Sequence, residues 1–270
     1  MTKFEVLVFM AEGTKEIVVR EDAPNWFVAL ESALSGLGMA DCMANILCDV
    51  KEDGSIHVSD TQSSRRFLIR ELDETKKDVT PVRSETIGRE VKQTITKKED
   101  LLADLFTDVM DAWDLTGKEA ADFFLDLALK YVPSESGSFA KTDLSSSDLE
   151  FISCRGPKSD QVVGLKINMG QGLSGFSAKY GCFIAVSDVQ KDPRFFREIS
   201  DKLGYETNSI ACAPVKSEES SITFGVIQLI NKKEGYRFNE DDMEYLRFIS
   251  EKMAEHFHMN WMSTDNNLED

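Results

Sequence analysis

Histidine is nearly missing from this chain of 270 residues: His57, His256 and His258 are its only three, and no two cysteines stand at the close spacing of a metal-ligand pair. A zinc site therefore has no support in the sequence. The five cysteines, Cys42, Cys48, Cys154, Cys182 and Cys212, are odd in number, scattered and mostly set in apolar runs. That is how reduced core thiols are distributed, so a disulfide framework is not expected. No apolar run approaches the ~20 residues that span a bilayer, and no basic stretch followed by an apolar one opens the chain. Basic residues are in the minority, 31 against 48 acidic ones, for a net charge of -17. Such a surface repels a nucleic-acid backbone and an anionic membrane alike. These absences predict a soluble, cytoplasmic chain with neither a nucleic-acid nor a membrane partner.

What is present suffices for two domains, since 41% of the residues are hydrophobic. Residues 3–10 and 16–20 read as strands, and the apolar positions of PNWFVALESALSGLG recur at helical spacing between Pro24 and the pair Gly36 and Gly38. ANILCDV, SIHVSD and RRFLIREL read as further strands, the first two joined by a hairpin turn at Glu52-Asp53-Gly54. Residues 1–72 thus form a small α+β unit. Residues 73–98 are charged, hydroxyl-rich and too poor in apolar groups to offset the entropy of ordering, as in a linker.

Residues 99–262 make the second domain, followed by a polar tail at 263–270. Leu101, Leu105, Val109 and Trp113 share one helical face, and a second helix follows through Phe124 and Tyr131. Strands are expected at Ser138–Lys141, Leu149–Cys154, Val162–Asn168 and Phe183–Asp188, then in the apolar runs SIACAPV and ITFGVIQLI. Near-continuous apolar strands of that kind are covered on both faces. A last helix from Asn239 carries Met243, Leu246, Ile249, Met253, Phe257 and Trp261 at gaps of three or four. The fold class is α/β in the α+β sense, an antiparallel sheet flanked by helices.

Gly170-Gln171-Gly172-Leu173-Ser174-Gly175 spells GxGxxG between a strand and a helix, with Asp188 ending the next strand. The helix, about Leu173 to Tyr180, is only ~2 turns long at 3.6 residues per turn. That is too short to cover a parallel dinucleotide-binding sheet. The glycines either permit a tight turn or let backbone N–H groups hold an anionic group. Asp192-Pro193 reads as an N-cap followed by proline at the first helical position. Phe195, Phe196, Ile199 and Leu203 fall on one apolar face of that helix, as core residues do.

In its glycine turn, its SIACAPV strand and its Asn231-Lys232…Phe238-x3-Asp242 signature, the chain from about residue 100 to 260 resembles a GAF domain. The likeness is to the regulatory domains of cyclic-nucleotide phosphodiesterases. It implies a cyclic nucleotide, cAMP, cGMP or another, between the sheet and the helices over it. By that resemblance the ligand contacts are Ser138, Cys154, Arg155, Gly172, Leu173, Ser174, Thr207 and the roof residues Phe195, Phe196, Ile199 and Leu203. Asp188, Asn231, Lys232, Phe238 and Asp242 would support the pocket, with Lys232 and Asp242 as an internal ion pair. Two departures stand out: Arg155 occupies a position where the family can place a carboxylate, and Met243 replaces the closing Glu. An arginine donates where a carboxylate accepts, so Arg155 suits a phosphate, a carboxylate or an acceptor edge, or is a solvated strand end.

No nucleophile is paired with a base, so no enzyme and no cofactor are expected. The terminal helices either pack on the sheet or expose a seam of Leu105, Val109, Trp113, Leu246, Met253 and Phe257 suited to a homodimer. Together these features predict a regulatory protein that passes ligand occupancy through dimer helices to a signalling protein partner. The alternative is a ligand-free scaffold for dimerisation and protein interaction.

Overall fold

The computed structural model describes residues 1–9, 16–43, 45–51, 54–60, 63, 65–72, 101–112, 114–143, 145–217, 219–235 and 237–265. The expected linker at 73–98, Trp113 and the end of the tail lie outside them. Strand β1 (Thr2–Phe9) buries every second residue, Phe4, Val6 and Val8, as a half-buried strand must. It pairs with β2 (Glu16–Ala23) and with β5 (Arg66–Glu71). Between them come β3 (Asn45–Val50) and β4 (Ile56–Asp60), an antiparallel pair on either side of Gly54, whose φ of 82° needs glycine. Helix α1 (Trp26–Gly36) opens where Asn25 Oδ1 accepts a hydrogen bond from Val28 N at 3.1 Å. Its buried stripe of Trp26, Phe27, Leu30, Ala33 and Leu34 covers this small sheet.

The second unit begins with α2 (101–109) and α3 (Gly117–Tyr131), then β6 (Ser134–Asp143) and β7 (Asp148–Arg155). A single-turn α4 (Ser159–Val162) and a three-residue β8 (Lys166–Asn168) stand where one strand was expected over Val162–Asn168. Helix α5 (Gly172–Tyr180), β9 (Phe183–Val186), α6 (Arg197–Leu203), β10 (Ile210–Lys216), β11 (Thr223–Lys232) and α7 (Glu240–Asp265) complete it. Residues Ile210 through Val215 are all buried, so β10 is covered on both faces as its apolar run requires.

The eleven strands among the described residues join one sheet, in the order β2-β1-β5-β4-β3-β9-β10-β11-β6-β7-β8. The seam between the two units is a parallel pair, β3 with β9, from Asn45↔Phe183 to Cys48↔Val186; every other pairing is antiparallel. Helices α2, α3 and α7 cover one face through Leu105, Phe124, Leu246, Ile249 and Met253. Helices α1 and α5 share the opposite core. The supposed dimer seam is therefore largely interior: Leu105, Leu246 and Met253 are fully buried, and Phe257 packs on Phe139 and Phe224. An amphipathic helix beside an apolar sheet gains more by covering it than by waiting for a second chain. Among the described residues no helix is long and apolar enough to cross a membrane.

Candidate functional site

A cavity of about 110 Å³ lies between the β6–β7–β11 face, the start of α5 and the roof formed by Phe195, Phe196 and α6. Every ligand contact expected above lines it: Ser138, Cys154, Arg155, Gly172, Leu173, Ser174, Phe195, Phe196, Ile199, Leu203 and Thr207. A wider recess of about 410 Å³, lined partly by Lys166 and Lys202, opens on the outer side of Phe196, Ile199 and Leu203.

The glycine turn is built by close backbone packing. Gly170 N donates to Gly175 O at 2.8 Å, and a Cβ on Gly175 would sit 2.7 Å from Asn168 O. Gly172 has a φ of 68°, and a Cβ there would meet Phe196 Cβ at 3.1 Å, so glycine lets the roof lie directly on the turn. Ser174 Oγ donates to Gln228 Oε1 across the floor. Ser138 and Thr207, which line the cavity, are 5% and 4% exposed. Tyr205 OH stands 2.8 Å from Ser136 Oγ at the rim.

Arg155 is committed elsewhere. Its Nε and Nη2 donate to the two oxygens of Asp126 at 2.6 and 2.9 Å, and Nη1 donates to Asp122 at 3.1 Å, both carboxylates being on α3. Alternation along β7 sends Cys154 to the cavity side and Ser153, which also bonds Asp122, to the helix side. Burial alone would raise the Asp122 carboxyl, but hydrogen bonds from Lys118, Ser153 and Arg155 hold it below the ordinary carboxylate value. A folded value depressed in this way contributes stability above the unfolded pKa of ~3.9 that disappears as pH falls through the folded value. Acid titration of unfolding should accordingly show stability dropping below about pH 4, with a shallower slope in Asp122→Asn.

Asp192 is not the helix cap expected from Asp192-Pro193. Helix α6 starts only at Arg197, after Phe196, and Asp192 instead accepts from Arg194 N at 2.9 Å and from Arg194 Nη2 at 2.6 Å. The short aspartate side chain reaches the backbone two residues on and turns the chain before a helix can form. Asp188 also stays outside the cavity, paired with Lys191 at 3.1 Å on the surface.

The support beneath the pocket is dense. Asn231, at φ 56°, accepts from Asn208 N at 2.8 Å and donates to Glu206 O and Glu135 Oε2, tying β11 to the segment that carries Thr207. Lys232 Nζ donates to Asp242 Oδ1 at 2.8 Å with both side chains buried. Asp242 Oδ2 accepts from Asn239 N, and Asn239 Oδ1 from Asp242 N, both at 2.9 Å, a capping box that starts α7. Phe238 and Met243 flank that box and are buried in one cluster as a hydrophobic staple. Met243, the second departure, thus serves packing.

No protein-family model matches the chain. Its structure is similar to the GAF domain of a phosphoenolpyruvate-protein phosphotransferase from Coxiella burnetii, at TM-score 0.55 and 16% identity, over 62% of this chain and 98% of that one. It is likewise similar to free methionine-R-sulfoxide reductase from Neisseria meningitidis, at TM-score 0.51 and 16% identity, over 66% and 98%. The fold is that of a GAF domain. In sequence, the chain is 42% identical over 82 residues to a cGMP-specific 3',5'-cyclic phosphodiesterase of Drosophila melanogaster, covering 30% of this chain and 7% of that protein. A dual 3',5'-cyclic-AMP and -GMP phosphodiesterase 11A of Takifugu rubripes is 36% identical over 84 residues, 31% of this chain and 9% of its own length. The chain spans under a tenth of these curated relatives.

Some pocket residues of the GAF unit escaped the sequence reading. Gln228 is the clearest, an amide side chain set between Ile227 and Leu229 inside ITFGVIQLI that had to face something polar. Tyr205, Ser136 and Lys158 also line the cavity, and nothing in their local sequence marks them. The buried thiols carry little thiolate: burial pushes Cys154 and Cys182 up to about 11, and Cys48 and Cys212 to about 12. The Arg155 charge beside Cys154 does not reverse that effect.

Proposed function

We propose that the GAF unit is a regulatory sensor, not an enzyme, and that it binds a small anionic ligand, a cyclic nucleotide such as cAMP or cGMP. The observation that carries this reading is the cavity lining. It joins a glycine turn and two hydroxyl side chains, Ser138 and Thr207, to apolar walls, and it contains Lys158 beside the carboxylate-paired Arg155. Such a chamber offers a base apolar surface and a phosphate ester hydrogen-bond donors. The relatives named for cyclic-nucleotide chemistry support the same choice.

The cavity is smaller than the roughly 300–1,000 Å³ of small-molecule sites, so a nucleotide enters only when the roof lifts. Helix α6 is suited to that, since none of its residues is buried. The same small volume favours a second reading, a ligand-free scaffold whose roof side chains fill the chamber. Equilibrium binding of cAMP and cGMP separates the two. On the sensor reading, Ser138→Ala and Thr207→Val each weaken binding by about five- to tenfold, the equivalent of ~1 kcal/mol for a lost hydrogen bond. Absence of binding of either nucleotide at millimolar concentration favours the scaffold.

A signalling partner, cytoplasmic location and a homodimer belong to the same proposal. With Leu105, Leu246 and Met253 interior, a dimer would draw on Phe106, Met110 and Met259, which are 57%, 55% and 49% exposed.

A further inference from the structure

The N-terminal unit meets the GAF unit at the segment that leads into the pocket roof. Arg194, immediately before Phe195 and Phe196, carries its guanidinium into the interface, where its side chain is 8% exposed. Three rings surround it. Trp26 and Phe27 of α1 have centroids 5.1 and 4.7 Å from Arg194 Cζ, and Phe176 of α5 lies at 5.3 Å. Phe27 and Phe176 also touch each other edge to face, at 4.7 Å. Asp192 neutralises the charge from within its own turn and is completely buried. The remaining contacts reinforce the same junction: Asp49 of β3 accepts from Ser187 Oγ and from Arg237 Nη1, each at 2.9 Å.

One cation therefore joins three elements: α1 of the N-terminal unit, the loop opening the roof, and α5, whose first turn forms a pocket wall. A guanidinium desolvated against aromatic faces binds them more strongly than an exposed one. Lifting the roof pulls on Arg194, and withdrawing Arg194 uncovers Trp26 and Phe27. We propose that the N-terminal unit is a regulatory partner docked on the β9 edge, which holds the pocket closed through Arg194. This rests on the reading of the cavity as a ligand site. Arg194 is a positioning residue here: it lines no part of the cavity, and it acts by fixing where Phe195 and Phe196 sit.

The consequence is reciprocal. If docking favours the closed roof and ligand needs the lifted one, freeing the N-terminal unit tightens ligand binding, and ligand loosens the unit by the same factor. The α1 side of the clamp then behaves as the signalling output.

Hydrogen exchange of the full chain without ligand tests the clamp directly. Two variants approach it from opposite sides: Phe27→Leu, which keeps apolar volume but removes one ring, and Asp192→Asn with Arg194→Met, which removes both charges together so that neither is left buried alone. The expected result is faster exchange in 197–203 in both variants, with the amides of β10 and β11 unchanged. In parallel, cGMP and cAMP affinities should rise, within the about 5- to 150-fold range of allosteric couplings. Unaltered exchange in 197–203 in both variants would overturn the proposal, and so would a roof that loosens only together with β10 and β11. If the parent chain binds neither nucleotide, the ligand reading fails while the exchange result still decides whether the N-terminal unit holds the roof.

Discussion

Replacing Asp242 with alanine is expected to lower the unfolding free energy by about 3–5 kcal/mol, the cost of breaking one partner out of a buried ion pair. Lys232 and Asp242 side chains are 6% and 7% exposed, so the ammonium left behind is largely cut off from water. The same carboxylate closes the capping box with Asn239, which adds a further ~1 kcal/mol. Urea titration should show the midpoint falling with the m-value unchanged. The double variant Lys232→Met with Asp242→Asn should recover most of the loss, since it leaves no charge unpaired and keeps a side-chain acceptor near Asn239 N. A double variant as unstable as the single one would place the cost in packing instead of charge.

Gly175→Val should also be damaging, and it strikes the pocket as well. The third glycine of the turn lies within α5, where its missing side chain lets Asn168 O and the Gly170 backbone press against the helix. Those neighbours are main-chain atoms and cannot rotate aside, so the turn must open or α5 must move. Overpacking of this kind costs about 1–3 kcal/mol and at times more. The stability loss is read by urea unfolding, and the local consequence by ligand affinity, since α5 delivers Leu173 and Ser174 to the cavity. Gly36, with open space around it, is the control: alanine there should not destabilise by overpacking.

Much of the second unit was legible because its signals are local. The apolar runs of β10 and β11, the three-and-four spacing along α7, and the glycine turn before α5 each follow from a pattern within a dozen residues. The pocket contacts came from resemblance to a family, and the structure brings them round one cavity. What the sequence concealed depends on contacts between distant segments. Asp192-Pro193 reads as a helix start in isolation, yet an arginine two residues on captures the aspartate and postpones the helix to Arg197. Arg155 lines the cavity, but its pairing with Asp122 and Asp126 of α3, some thirty residues earlier in the chain, leaves no mark in its local sequence. The apolar positions of the terminal helices fit a dimer seam and a core equally well, because periodicity records that a face is buried and not what buries it. The parallel β3–β9 junction had no sequence signature at all, since an edge strand able to pair carries no mark of its partner.

The proposed sensor requires a pocket that closes small and opens to admit a nucleotide. Thermal unfolding with and without cAMP, cGMP and cyclic dinucleotides tests it most directly. A ligand bound only by the folded chain adds about 2.7 kcal/mol at a hundredfold excess over its Kd, which for a domain of this size raises Tm by roughly 5–10 °C. A sensor shows a dose-dependent rise of that order with one of these nucleotides, reduced in Thr207→Val. Superimposable curves with every nucleotide up to millimolar concentration would contradict it.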